Sequence, residues 1–334
     1  MEKTPDFNQL LKVLNKEKPD RPVLFELFMS DAVAEKLAGE LLDRSSRTTY
    51  VKGLIKGYAK GGYDYTSVHA SNFCFPAKEK VMQKTLSAND GVVITDRESF
   101  AQYVWPDPAD FDNSALEEVK ESLPENMKLM VMGPGGVLEN VTNLTGYDNL
   151  CYMLYEDPEL VEMLFTEVGS RLLKYYEIAL RYDSVGVIMS NDDWGFKSQT
   201  FLSLEHMRKY VFPWHKKIVG LAHAHGRPAL LHSCGYAGDT MEDIIETIGF
   251  DGKHSYEDNI LCVEESYKKW GGRIAVLGGM DIDFLSRSTP EEVKKRAMNM
   301  LALAEEKGGY ALGSGNSIPD YIPFENYLAM IECR

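Results

Sequence analysis

Residues 228–235 read Pro-Ala-Leu-Leu-His-Ser-Cys-Gly, and residues 184–193 read Ser-Val-Gly-Val-Ile-Met-Ser-Asn-Asp-Asp. Each is a short apolar run that ends in small or polar residues. Runs this short, apolar on both faces, suit buried strands of a parallel sheet and not a surface sheet. Three more follow downstream: FDGKHS at 250–255, IAVLGGMD at 274–281 and YALGSG at 310–315. Working back towards the N-terminus, VLFELF (23–28), YDYTSVHA (63–70) and LMVMGPGG (129–136) repeat the theme less cleanly.

The intervening segments carry helix signals. Asp157-Pro158 offers a cap and a first-turn proline, after which Leu160, Leu164, Val168 and Leu172 recur at i+4. Asp239 with Glu242 starts another helix, striped by Ile244, Ile245 and Ile248 and stopped by Gly249. Thr289-Pro290-Glu291-Glu292 is a fuller capping box, and Gly308-Gly309 ends that helix. Residues 203–224 read as one helix, and residues 1–20 as an N-terminal helical segment. Residues 91–106 (GVVITDRESFAQYVWP) read as a hairpin or strand insertion on the rim.

Eight strands are thus expected, at 23–28, 63–69, 129–133, 185–190, 228–233, 251–255, 274–279 and 310–314. With no linker between them, the fold class is α/β, a single (β/α)8 TIM-type barrel over residues 1–334. A doubly wound open sheet is disfavoured, because no G-x-G-x-x-G follows the first strand. The nearest glycine cluster, Gly133 to Gly136, has Pro134 where a phosphate loop needs a backbone donor.

Composition narrows the function classes. Of 334 residues, 44% are hydrophobic and 26% charged, the balance of a globular chain with a sizeable core. Lys and Arg number 36 against 51 Asp and Glu, a net charge of −15 that argues against nucleic acid as the main partner. The five cysteines (Cys74, Cys151, Cys234, Cys262 and Cys333) are scattered with no CxxC, as expected of reduced thiols in a cytoplasmic protein. No basic-then-apolar leader opens the sequence, and no long apolar run is present to span a membrane.

In a barrel the chemistry gathers at the carboxyl ends of the strands. Those ends carry Glu26, His69, the Gly133–Gly136 loop, Asn191, Asp192, Asp193, His232, Cys234, Lys253, His254, Asp281, Ser314 and Asn316. Several have a plainer reading as helix caps. The sharpest signal is His232-Ser233-Cys234, because strand residues i and i+2 face the same way. An imidazole and a thiol then converge at a separation that one zinc ion bridges. A buried cysteine beside a hydrogen-bonded histidine is the competing reading. Asp192-Asp193 is either a carboxylate pair for proton transfer and substrate positioning or a helix cap. His223 and His225 suit a helix C-terminus. His206 and His215 read as surface or packing residues, and Tyr152, Tyr155, Tyr175 and Tyr176 as core.

The motifs RPV (21–23), DDWG (192–195), FPWHKKIV (212–219), LLHSCG (230–235), LGGMD (277–281) and GSGNSIPDYIPFENYLAMIE (313–332) stand in an order that resembles the uroporphyrinogen decarboxylase superfamily of barrels along nearly the whole chain. True decarboxylases of that superfamily carry an arginine-bearing MRQAGR-like segment for their four-carboxylate tetrapyrrole. The matching stretch here, residues 25–36, holds two Glu, one Asp and no Arg, which is repulsive to such a substrate.

The resemblance therefore points to the other branch, methyltransferases that work with methylated corrinoid proteins. These hold zinc through His-x-Cys on the fifth strand and a distant Cys near the eighth. His232 and Cys234 match the pair, but no Cys stands near Ser314, Asn316 or Ser317. Either the metal takes another third ligand, His254 or Glu257, or this relative binds no zinc. On this reading Asp193 and Glu26 are catalytic mouth carboxylates, and Asp192, Asp281, Ser314, Asn316 and His69 bind substrate. The implied cofactors are zinc and a methylated corrinoid carried by a partner protein. A small methyl donor or acceptor (thiol, pterin, methoxylated or methylamine compound) completes the reaction, and a homodimer is an open option. A decarboxylase acting on a smaller substrate, and a corrinoid-binding module without catalysis, are the alternatives.

Overall fold

The computed structural model describes residues 4–77, 89 and 91–333. The apolar runs become strands β1 (Tyr65–His69), β2 (Lys128–Met132), β3 (Val185–Asn191), β4 (Ala229–His232), β5 (Gly252–His254), β6 (Ala275–Leu277) and β7 (Tyr310–Ala311). They pair in that order, all parallel, as one curled seven-stranded sheet of the (β/α)8 barrel type. Val131, Val187, Ile188, Leu230, Leu231, Val276 and Leu277 are all fully buried. The strands are covered on both faces, which is why their sequences do not alternate.

The eighth expected strand, 23–28, behaves differently. It meets the β7 side only through single bridges, Leu24 to Leu312 and Met29 to Ile318. On the β1 side, side chains replace the ladder. The Glu26 N–H donates to Tyr65 Oη at 2.7 Å, that hydroxyl donates to the Glu26 carbonyl at 2.6 Å, and Ser67 Oγ donates to the Leu27 carbonyl. The buried main-chain groups are satisfied, so the ring closes without regular pairing. Close approach is also required at Gly313, where a Cβ would run into the Phe25 carbonyl.

The helices follow their caps. Asp157 accepts from the Leu160 N–H at the start of helix Pro158–Ala179, whose buried stripe includes Leu160, Leu164, Val168 and Leu172. Thr289 and Glu292 form the expected capping box of helix Pro290–Ala304. The segment after Asp239 is irregular, a 3-10 turn followed by a π-helical stretch to Ile248, and Gly249 ends it at φ 86°.

Two expectations are corrected. Residues 91–106 form no hairpin: helix Arg97–Gln102 occupies the segment, because Asp96 and Ser99 make a reciprocal capping box. Of the four tyrosines assigned to the core, Tyr175 and Tyr176 are buried, whereas Tyr152 and Tyr155 are exposed on helix Tyr147–Glu156. Among the described residues all five cysteines are free, and no helix is long and apolar enough to cross a membrane.

Candidate metal centre at the barrel mouth

β4 ends at His232, and the chain runs on extended through Ser233, so His232 and Cys234 open to one side. His232 Nε2 lies 3.5 Å from Cys234 Sγ. Asp193, just past β3, brings Oδ1 to 4.0 Å from the same nitrogen and accepts the Cys234 N–H at 2.7 Å. The three donor atoms all lie within 4.8 Å of one another. A tetrahedral zinc with bonds of ~2.0–2.3 Å needs donor separations of roughly 3.4–3.6 Å. The nitrogen–sulfur edge matches, and the His232–Asp193 edge is about half an ångström wide. One Asp, one His and one Cys form the three-ligand set of an open catalytic site, so these residues fit such an ion.

The surroundings complete the centre. Asn316 Nδ2 donates to Cys234 Sγ at 3.1 Å, in the region where the resemblance leads one to look for a third thiolate. A cavity of about 360 Å3 opens beside the cluster, bounded by Phe28, His69, Met132, Glu139, Asn191 and Asn316 among others. Its described lining has two carboxyl groups, Glu139 and Asp193, and no Lys or Arg. Burial, and next the Asp193 charge, push the Cys234 thiol up to about 12. Burial also raises the Asp193 carboxyl.

His254 is drawn to His232 by the register of β4 on β5, which sets the two opposite each other. Their Nδ1 atoms are 2.8 Å apart, and His254 Nε2 is 3.0 Å from the Ser314 carbonyl. Both nitrogens of His254 are thus committed within the protein, and Asp193 fills the third position of the cluster. Burial presses His254 down to about 3 and His232 well below the ordinary imidazole value, so both rings are neutral. Glu257, the other residue weighed as a ligand, accepts the Gly235 N–H at 3.0 Å.

Glu26 is fully buried and is not among the clustered donors. Ser314 donates its N–H to Oε1 at 2.9 Å, and its hydroxyl bonds Oε2. Burial lifts this carboxyl from 4.5 to about 8, against the opposing pull of those two bonds. Between these values the folded chain keeps a proton that the unfolded chain has lost, so stability falls as pH rises. From pH 5 to 7 the loss amounts to about 2.5 kcal/mol. Urea titrations of wild type and Glu26→Gln should diverge by that amount over this interval, the variant lacking the slope. Parallel curves would contradict it.

The remaining candidates divide. Asp192 is turned away from Asp193: it accepts the N–H groups of Leu138 and Glu139 at 3.0 and 2.9 Å, and bonds His215 Nε2 at 2.9 Å. His215 is fully buried, with Nδ1 bonded to Ser190 Oγ, and is therefore not a surface residue. Gly136 makes room for this arrangement, since a Cβ there would overlap the Asp192 side chain. Asp281 caps helix Ile282–Arg287 through the N–H groups of Asp283 and Phe284. His69 stands at the cavity wall. Lys253 points the other way from His254, donating to the Ser255 carbonyl at 2.7 Å. Sequence reasoning missed Glu139, a half-buried carboxyl raised first by burial and then by Asp192 and Asp193. Its Oε2 accepts the Gly136 N–H at 2.9 Å as the N3 residue of helix Val137–Thr145, and that N-terminal Glu position is the one local signal for it.

A family model described as uroporphyrinogen decarboxylase (URO-D) matches residues 92–334. The chain belongs to this family. Uroporphyrinogen decarboxylase from Methylobacillus flagellatus is 27% identical over 208 residues, 61% of this chain and 53% of the relative, so the match spans about half of that relative's length. The structure of a methyltransferase from Methanosarcina mazei superposes with a TM-score of 0.72 at 15% identity, covering 99% of this chain and 98% of that one. At that identity the likeness is one of fold. The sequence match of this uroporphyrinogen decarboxylase family member is thus to a decarboxylase, and its fold match is to a methyltransferase.

Proposed function

We propose that this chain is a corrinoid-dependent methyltransferase with zinc held by Asp193, His232 and Cys234. The observation that carries the reading is the convergence of these three donor atoms beside a 360 Å3 cavity. That volume suits a small donor or acceptor. A lining with two carboxyl groups and no cation is the reverse of what a polycarboxylate tetrapyrrole requires, which weighs against the decarboxylase reading.

In this proposal the cavity takes the small substrate and the open mouth admits the methylated corrinoid on its carrier protein. Phe28 and Tyr321, 43% and 69% exposed, offer apolar contact at the rim. Bound zinc supplies a Lewis acid that keeps an acceptor thiol or hydroxyl deprotonated at neutral pH. The chain's own residues do the rest. Asn316 holds the Cys234 sulfur in place, and the Cys234 N–H holds the Asp193 carboxylate as the third donor. Glu139, half-buried on the cavity wall with its carboxyl raised by burial and by the Asp192 and Asp193 charges, offers a hydrogen-bonding group to the substrate. The apolar wall of Phe28 and Met132 excludes water from the line of methyl transfer.

The test is anaerobic incubation of zinc-loaded protein with methylcobalamin and a panel of thiol and pterin acceptors. The reverse direction uses reduced cobalamin with methoxylated and methylamine donors. A change in the cobalamin visible spectrum that depends on the protein and is lost in His232→Ala is expected. Decarboxylation of a tetrapyrrole would overturn the reading, as would cobalamin binding with no transfer to or from any of these pools.

A further inference from the structure

We propose that His254 is a positioning residue: it fixes His232 in the Nδ1–H tautomer, so that the Nε2 lone pair points at Cys234 and Asp193. The inference deepens the metal-site reading and rests on it. The Ser314 carbonyl can only accept a hydrogen bond, so the proton between it and His254 Nε2, 3.0 Å away, belongs to the imidazole. His254 is fully buried, packs its ring 5.4 Å from that of Phe25, and has no carboxylate among its hydrogen-bond partners. A neutral ring carries one N–H, which leaves His254 Nδ1 bare. The 2.8 Å contact between the two Nδ1 atoms then requires His232 to donate. His232 Nε2 is left without a proton, 3.5 Å from Cys234 Sγ.

The direction of this chain cannot be reversed, because a carbonyl stands at its far end. That carbonyl is itself anchored. Ser314 is tied to Glu26 by its N–H and hydroxyl, and its carbonyl also accepts the Gly279 N–H at 2.8 Å. A metal-binding histidine ordinarily has its tautomer set by a carboxylate or carbonyl bonded to its other nitrogen. Here a second imidazole passes that instruction from strand to strand, which gives Glu26, Ser314 and His254 one shared task.

The experiment compares metal-free wild type, His254→Leu and His254→Gln. Cobalt(II) titration is followed by the thiolate-to-cobalt absorption band, and zinc affinity by chelator competition. Leucine offers no acceptor, so affinity should drop by about 10–100-fold with a weakened band. Glutamine offers an acceptor and a donor in the same order and should stay within about threefold of wild type. Histidine-labelled 15N spectra of the metal-free wild type read the tautomer directly, and His232 should carry its proton on Nδ1. Wild-type-like binding by His254→Leu, equal weakening in both variants, or a proton on His232 Nε2 would each overturn the inference. If wild type binds no cobalt while its spectra show the Nδ1–H form, the metal-site reading fails and the positioning role towards a metal falls with it.

Discussion

Cys234→Ser should weaken zinc binding by more than about 100-fold, beyond the 10–100-fold typical of residues outside the ligand set. The metal-free fold should stay within about 1 kcal/mol of wild type. Serine retains the contact with Asn316 and leaves almost no void, so the loss is chemical and not structural. The thiol is held at about 12 by burial and the Asp193 charge, so metal must displace its proton. Wild-type affinity should then rise about tenfold per pH unit through neutrality, since each metal bound releases that proton. The serine hydroxyl gives up its proton far less readily and is a poor zinc ligand. Competition titration against a chelator at several pH values checks both statements. A serine variant that binds as tightly as wild type, or an affinity independent of pH, would remove Cys234 from the ligand set.

The second large effect concerns a carboxylate that resembles an active-site group only by its position in the sequence. Asp192 is fully buried and satisfies three donors or rings at once: Leu138 N, Glu139 N and His215 Nε2. Removing it strands two N–H groups at the start of helix Val137–Thr145 and one imidazole nitrogen in the core. Each orphan costs about 1–3 kcal/mol, so Asp192→Ala should lose on the order of 3–5 kcal/mol. Asp192→Asn keeps one acceptor oxygen and should lose roughly half as much. Zinc affinity per folded molecule should change little, because no ligand atom is removed. Denaturant titration reads the stability and metal titration the site. An alanine variant as stable as wild type would show that these bonds hold nothing together.

Much of this molecule was open to sequence reading for definite reasons. Parallel strands packed between the barrel interior and a ring of helices must be apolar on both faces, so runs such as 184–193 and 228–235 declare themselves. The i, i+2 geometry of a strand was enough to bring His232 and Cys234 together. Register was not available, and register is what sets His254 opposite His232 instead of beside a metal. The neighbouring carboxylates Asp192 and Asp193 look equivalent in sequence. They part because one must cap helix Val137–Thr145, more than fifty positions upstream, while the other turns to the Cys234 N–H. His215 is the packing residue of the two readings offered, but its bonds were not legible for the same reason: its partners lie on β3 and just beyond it, not on its own helix. Segment 23–28 has a strand's sequence, but its neighbour on one side reaches it through Tyr65 and Ser67 side chains. The helix at 97–102 could have been found, since the Asp96–Ser99 capping box is a local signal.

X-ray absorption at the zinc edge of the metal-loaded protein tests the central claim most directly. One sulfur at ~2.3 Å and nitrogen or oxygen neighbours at ~2.0–2.2 Å are predicted, with the sulfur shell absent in Cys234→Ser. A first shell without sulfur in the wild type, or one unchanged by that substitution, would contradict the account.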